Sequence, residues 1–126
     1  MQQAEQICQQ ILRNYPQHAK ALHLLDVIVY QVGENEVAIG LITQAIEMDS
    51  TQYVFFNSLG AALQEQDRLE ESIQAYQQAI HIQPGAAEAY YNLGNILREQ
   101  GRLEKSIQAY QKSIEIQPDL ASTLFS

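Results

Sequence analysis

Residues 68–77 of the chain read RLEESIQAYQ, and residues 102–111 read RLEKSIQAYQ. The two segments differ at a single position. When the comparison is extended to residues 53–86 and 87–120, 18 of the 34 positions are identical. A fixed period of this length is typical of repeat proteins, in which each repeat is one supersecondary unit. The chain therefore contains an internal repeat, whose period is the offset from residue 68 to residue 102.

The prolines follow the same period. Pro84 and Pro118 are separated by one period, and Pro16 and Pro84 are separated by two. Ser50 stands at the position where this series lacks a proline. Because proline cannot continue a helix, the series marks a helix end in every unit.

Within each unit the apolar pattern is helical. In residues 87–100, apolar or small side chains recur at three- and four-residue steps, which places them along one stripe of a helix. A second stripe fills residues 102–116. A turn residue separates the two stripes of each unit, namely Gly33, Asp67 or Gly101. Each unit is thus predicted to be two helices of about 14 residues, which bury their apolar faces by stacking on neighbouring units.

The stretch DVIVYQV at residues 26–32 is rich in β-branched side chains, which favour strands. Its place in the repeat is that of a first helix. Tertiary context overrides local propensity, so we predict a helix there as well.

The third unit resembles the tetratricopeptide repeat (TPR), with tyrosine in place of the usual tryptophan. The residues that carry this resemblance are Tyr90, Leu93, Gly94, Leu97, Ser106, Tyr110 and Pro118. The second unit matches through Phe56, Leu59, Gly60, Leu63, Ser72, Tyr76, Ala79 and Pro84, and the first unit matches more weakly. The resemblance covers essentially the whole chain. It implies an all-α TPR solenoid in which antiparallel helix hairpins form a right-handed superhelical array.

In this register the chain forms a single TPR domain, and each of its two ends holds an incomplete repeat. We expect a lone helix of the second type at 2–14, repeats at 19–52, 53–86 and 87–120, and the start of a further repeat at 121–126. Stable arrays end in polar capping helices, which this register does not provide. We therefore expect a fragment of a longer array whose open apolar ends favour self-association into homo-oligomers.

Asp26 departs from the repeat pattern because it occupies the position of Gly60 and Gly94. The two glycines are expected to let the helices of a hairpin approach each other, opposite the small side chains of Ala79 and Ser113. A carboxylate buried at that position needs a partner, and His23 is one candidate. We favour a structural role for Asp26, in a splayed or hydrogen-bonded first hairpin, over a functional role.

Composition and motifs exclude most other classes of function. The chain has 15 acidic and 7 basic side chains, a net charge of -8, which disfavours nucleic acid as a partner. The chain has one cysteine, Cys8, so it cannot form an internal disulfide, and no two of its three histidines have the His-x3-His spacing of a zinc site on a helix. No glycine-rich loop is present to hold a phosphate group. We therefore predict no catalysis, no metal and no cofactor.

No apolar run approaches the roughly 18 residues that a membrane span needs. The start, MQQAEQ, has neither the basic nor the apolar block of a signal peptide. We therefore expect a cytoplasmic protein that does not bind membranes.

The TPR resemblance implies that the first helix of each hairpin lines a concave groove, which in this family commonly holds a peptide or helix of a partner protein. The groove positions in this chain are Lys20, His23, Val27, Tyr30, Asn57, Ser58, Ala61, Gln64, Glu88, Tyr91, Asn92, Asn95 and Arg98. Leu24, Gln31, Val54, Glu65 and Glu99 extend the same surface. Asparagine amides can pair with a peptide backbone, and tyrosine offers flat contact area with a polar tip. Counting charges over these positions predicts a nearly neutral groove suited to a polar or mixed peptide.

The predicted function is protein–protein interaction through this groove, and two alternatives stay open. The stretch HAKALHLLDVIVYQVGENEVAIGLI at 18–42 is similar to amino-terminal TPRs of bacterial O-GlcNAc-transferase-like proteins, which makes a substrate-recruiting arm of a larger glycosyltransferase-like enzyme the first alternative. A self-assembly element is the second. Recognition of a chaperone's terminal carboxylate is disfavoured, because only Asn92 fits among the residues at the positions of that family's carboxylate clamp.

Overall fold

A computed structural model of the chain describes residues 6, 10, 13, 14 and 18–119. Residues 18–119 contain the helices α1 (Ala19–Gln31), α2 (Asn35–Met48), α3 (Tyr53–Glu65), α4 (Leu69–Ile82), α5 (Ala87–Glu99) and α6 (Leu103–Ile116). The starts of α1, α3 and α5 follow the period of the sequence repeat, and so do those of α2, α4 and α6. The strand-like stretch from residue 26 is helical, as predicted.

Both predicted ends of the array fall largely outside the described residues. Of the lone helix expected at 2–14, the structure describes Gln6, Gln10, Arg13 and Asn14, which are helical and exposed. The start of a further repeat at 121–126 lies outside the described residues altogether.

The helices pack as three hairpins that stack in chain order. The main contacts within hairpins join α1 to α2, α3 to α4, and α5 to α6. Between hairpins, α2 packs on α3 and α4 packs on α5. Smaller contacts join α1 to α3 and α3 to α5, so the three first helices lie side by side. We call the surface that these three helices share the groove face.

In each turn between paired helices, the predicted turn residue has a left-handed backbone conformation. Gly33, Asp67 and Gly101 have φ values of 87°, 60° and 75°. Each turn closes with a backbone bond back to the preceding helix, such as Arg102 N donating to Leu97 O at 2.9 Å. This is the capping geometry in which glycine, or less often a short polar residue, ends a helix.

Gly60 makes room for an aromatic ring from its own hairpin. A Cβ atom added at Gly60 would lie 2.7 Å from the ring of Tyr76, well inside van der Waals contact. Ser72 Oγ donates to the carbonyl of Gly60 at 2.7 Å, which fixes the crossing of α3 and α4. The close neighbour of the glycine is thus Tyr76, rather than Ala79 as expected. The third hairpin repeats the arrangement with Gly94, Tyr110 and Ser106.

The first hairpin replaces this glycine–tyrosine pair with a different pair. Asp26 stands at the position of Gly60, and Ile42 stands at that of Tyr76. Both side chains are buried, and Asp26 is only 1% exposed. Because isoleucine does not reach as far as a tyrosine ring, the hairpin has space for a carboxylate where the others have an aromatic side chain.

The apolar faces at both ends of the described solenoid are open. Ile28 on α1 is 52% exposed, whereas Ile96 at the same repeat position is 0% exposed. At the other end, Ile107 on α6 is 54% exposed, whereas its counterpart Ile73 is 6% exposed. A neighbouring hairpin covers Ile96 and Ile73. Among the described residues, no such hairpin covers Ile28 or Ile107.

Candidate functional site

A pocket of about 270 Å³ opens on the groove face between α1, α3 and α5. We call it the groove pocket; its lining residues are Asp26, Val27, Tyr30, Gln31, Asn57, Ser58, Ala61, Glu88 and Asn92. Seven of these belong to the set of groove residues predicted from the sequence, and Gln31 extends that surface. Asp26 also lines the pocket, although the sequence had favoured a structural role for it.

Two oxygen atoms of the pocket residues are buried without a hydrogen-bond donor. They are Asp26 Oδ1 on α1 and Asn57 Oδ1 on α3. A buried acceptor without a donor destabilises a fold by about 1–3 kcal/mol, and by more where the acceptor is charged. Glu88 adds a second carboxylate from α5. Within the described part of the chain, no lysine, arginine or histidine lines the pocket.

Burial changes the acid–base behaviour of Asp26. Desolvation raises the pKa of its carboxyl group to about 7, and a hydrogen bond from Ser58 lowers it by a smaller amount. Near neutral pH the protonated and ionised forms are therefore both populated. A cation placed in the pocket would favour the ionised form, because an opposite charge stabilises a carboxylate.

His23 does not pair with Asp26 as the sequence had suggested. Its Nε2 atom lies 2.9 Å from Ser58 Oγ, and its ring centroid lies 5.0 Å from that of Phe55. Burial lowers the pKa of His23, which favours the neutral imidazole. Since the Ser58 hydroxyl donates to Asp26, it is free to accept from the His23 Nε2–H tautomer. The polar chain therefore runs from His23 through Ser58 to Asp26.

This polar chain differs from a hydrolytic triad in its order. In a triad the carboxylate holds the imidazole, and the imidazole removes the proton of the hydroxyl group. Here the carboxylate accepts the hydroxyl hydrogen bond itself. The arrangement orients the Ser58 hydroxyl group, and its hydrogen bond lowers the pKa of Asp26 by less than burial raises it. It is suited to recognition of a donor group in the pocket.

Further polar contacts link the first helices along the groove face. The Tyr30 hydroxyl donates to Glu65 Oε1 at 3.5 Å, and Gln64 Nε2 donates to Glu99 Oε1 at 3.4 Å. Burial, and then Glu65, raise the pKa of Tyr30. Each bond joins neighbouring repeats, so hydrogen bonds connect α1 to α3 and α3 to α5.

Besides His23, five of the predicted groove residues, Lys20, Gln64, Tyr91, Asn95 and Arg98, are not among the residues that line the pocket. Asn95 accepts a hydrogen bond from Tyr110, and the Tyr91 ring lies 5.9 Å from the Tyr110 ring, so both contact the second helix of their own hairpin. Gln64 pairs with Glu99. Lys20 and Arg98 are exposed.

In the described part of the chain, no three histidine, cysteine or carboxylate side chains come together in a way that could hold a metal ion. None of the described helices is both long enough and apolar enough to cross a membrane.

Comparison with known proteins identifies the repeat type. Residues 87–120 match the family model described as tetratricopeptide repeat, and residues 65–97 match the one described as TPR repeat. No curated protein sequence matches the chain. The predicted all-α TPR solenoid is confirmed by these matches and by solved structures of the same architecture.

Three solved structures illustrate that likeness. A crystal structure of MamA superimposes with a TM-score of 0.83 at 30% identity, over 87% of this chain and 64% of that one. YrrB, described as a TPR protein with an unusual peptide-binding site, gives 0.76 at 22% identity, over 81% and 53%. The TPR domain of Arabidopsis OM64 gives 0.78 at 16% identity, over 80% and 84%. The chain thus spans less than two thirds of the MamA chain that it matches.

Proposed function

We propose that this chain is a protein–protein interaction module that holds a peptide or protein segment against its groove face. The observation that carries this proposal is the groove pocket, whose lining residues include two buried acceptors without donors, Asp26 Oδ1 and Asn57 Oδ1. A bound segment would supply the missing donors once the side chains of Asp26 and Asn57 rotate towards it. The fold-level likeness to YrrB, a protein described as having a peptide-binding site, supports the same reading.

The shape of the site favours a segment of chain over a small-molecule substrate. The pocket is smaller than the roughly 300–1,000 Å³ of typical small-ligand sites. Tyr30 and Asn92 line its walls, and outside the lining Gln64 on α3 donates to Glu99 on α5. A peptide could place one side chain in the pocket and lay its backbone against the amides of Asn57 and Asn92.

The test is selection of peptides from a random display library on the immobilised protein. Selected peptides should bind Asn92→Ala roughly tenfold more weakly, which is the usual effect of removing one hydrogen-bonding side chain from a contact with a charged or backbone group. Gln108→Ala, which truncates an exposed amide on α6, is the matched control and should leave affinity unchanged. Failure to select any peptide, or equal binding by both variants, would contradict the proposal.

Self-assembly is a second candidate function, and a separate observation favours it. Ile28 and Ile107 are exposed at opposite ends of the described solenoid, whereas their counterparts inside it are buried. The end of one copy could cover the end of another, as neighbouring hairpins do. Sedimentation velocity should show concentration-dependent association that Ile107→Glu abolishes, whereas Gln108→Glu should not change it. A strict monomer at high concentration would contradict this candidate.

We also propose an alternative setting for the module, on the resemblance suggested by the sequence of residues 18–42 alone. In that setting it is the substrate-recruiting arm of a larger glycosyltransferase-like enzyme. On this proposal the module is cytoplasmic, binds no nucleic acid or cofactor and has no catalysis of its own. The sequence of the parent gene beyond residue 126 decides the setting: a catalytic domain there would support it, and further repeats with no such domain would contradict it.

A further inference from the structure

We propose that the groove pocket recognises a cationic side chain, arginine or lysine, of the bound segment. The inference rests on the proposed function, since the cation belongs to the segment held against the groove face. It goes further because it assigns the chemistry of the occupant.

The acceptors that point to a cation come from all three first helices. Asp26 Oδ1 on α1 and Asn57 Oδ1 on α3 are buried and lack a donor, and Glu88 lines the same pocket from α5. Asp26 is nearly inaccessible to solvent, so bulk water does not satisfy its carboxylate. A positive charge in the pocket would stabilise the ionised carboxylates through space, and the donors of the occupant would reach the two buried oxygens after rotation of the Asp26 and Asn57 side chains.

The negative charge of the pocket disfavours an anionic ligand. Two carboxylates line it, and no basic side chain does so within the described residues. A carboxylate or phosphate group would meet like charge there. The sequence-based count of a nearly neutral groove left out Asp26, so the local balance is more acidic than predicted.

The physical properties of arginine and lysine match the rest of the lining. A guanidinium group offers five N–H donors and an ammonium group three, and neither accepts a hydrogen bond. Both stand on aliphatic stems that pack against apolar surface, which Val27 and Ala61 provide. A volume of about 270 Å³ accommodates a single side chain. Because guanidinium can satisfy more acceptors at once, arginine should bind more tightly than lysine.

The repeat pattern explains why this pocket has a buried carboxylate. The later hairpins place glycine opposite tyrosine, Gly60 with Tyr76 and Gly94 with Tyr110. Only the first described hairpin has an aspartate at that position, with Ile42 in place of tyrosine. The cation site is therefore expected once along the described solenoid, which would fix the register of a bound segment.

The experiment is a titration of the protein, at a pH above 8, with N-acetyl-arginine amide, N-acetyl-lysine amide and the uncharged analogue N-acetyl-citrulline amide. Two-dimensional amide NMR spectra report binding through the backbone of Asp26 and Ser58 and the side-chain amide of Asn57. We expect saturable shifts at these three residues with the arginine probe, weaker ones with lysine and none with citrulline. Asp26→Asn should weaken arginine binding roughly tenfold, the effect of losing one hydrogen bond to a charged group.

The control variant is Glu47→Gln, which removes the same formal charge from an exposed position on α2 and should bind the arginine probe as the wild type does. Equal shifts from citrulline and arginine, absence of shifts at the pocket up to the solubility limit of both cationic probes, or undiminished binding by Asp26→Asn would each overturn the inference. The spectra of the variants also report whether they are folded. Peptide selection tests the groove separately: selected peptides without basic residues would support groove binding while the probe titration overturned the cation site.

Discussion

The imidazole of His23 on α1 lies 2.9 Å from the hydroxyl of Ser58 on α3, so a polar bond joins the first two hairpins beside the groove pocket. The ring of His23 also packs against Phe55. We predict that His23→Ala lowers the free energy of unfolding by about 1–3 kcal/mol, because it removes this hydrogen bond and the ring contact. His81→Ala on the exposed face of α4 is the matched control. Equal urea midpoints for the two variants would contradict this role of His23.

The buried Asp26 predicts a pH dependence of stability. Its pKa is about 7 in the folded chain against an ordinary value of 3.8, so the folded state binds more protons between these values. Stability should therefore fall as pH rises from about 4 to about 7 and then level off. Burial lowers the pKa of His23 from 6.5, so the contribution of His23 to stability rises with pH below that value. The other titratable groups around this region are Tyr30, Glu65, Tyr76 and Glu88.

Asp26→Asn isolates the aspartate from these other groups. The variant keeps the shape of the side chain and has no charge to desolvate, so it should melt at a higher temperature than wild type at pH 8. The difference should shrink steadily as pH is lowered from 7, and it should disappear below about 3, where Asp26 is protonated in both folded and unfolded chains. Thermal melts over this pH range check it. A variant that is less stable at pH 8, or a difference that does not change with pH, would show that the carboxylate is stabilised by a partner.

The two helical glycines Gly60 and Gly40 make a contrasting pair. A Cβ atom at Gly60 meets the Tyr76 ring at 2.7 Å, whereas one at Gly40 on α2 meets nothing within 4 Å. Gly60→Ala should therefore cost about 1–3 kcal/mol through overpacking. Gly40→Ala should stabilise the chain by about 0.5–1 kcal/mol, because alanine loses less backbone entropy in a helix. Chemical denaturation measures both, and a stabilised Gly60→Ala variant would be incompatible with the close contact.

Replacing Asp26 and Ile42 together tests whether these two side chains occupy one shared space in the first hairpin. Asp26→Gly with Ile42→Tyr restores the combination found at Gly60 and Tyr76. The two changes should be non-additive, since each alone leaves a void or a clash and together they fit. The double variant should be at least as stable as the wild type and should lose binding of the arginine probe. Additive effects in a double-mutant cycle would argue that the two positions do not share one space.

The fold could be predicted from the sequence to a large extent because both turn and core residues recur with one period. Gly33, Asp67 and Gly101 mark the turns, and each has the left-handed backbone that such a turn requires. The period also gave the correct helix for residues 26–31, where local propensity favoured a strand. In a solenoid each repeat packs only on its neighbours, so one correctly aligned repeat determines the next.

The candidate site could be predicted only in part, because side-chain partners depend on packing between helices. Seven predicted groove residues line the pocket, but Asn95 is tied to Tyr110 on the second helix of its own hairpin, a pairing that first-helix periodicity does not indicate. Asp26 stood out as an exception, yet its place in the pocket depends on the absence of a tyrosine ring at Ile42. Comparing both positions across the repeats, rather than Asp26 alone, is the signal that could have revealed it.

The most direct test of groove binding is an NMR map of the protein saturated with a peptide selected from the library. We expect the largest shifts on α1, α3 and α5, with Asn57 and Asn92 among them. Residues on the exposed faces of α4 and α6 should be unaffected. Shifts that cluster instead on the open ends, around Ile28 or Ile107, or along the second helices would contradict binding through the groove face.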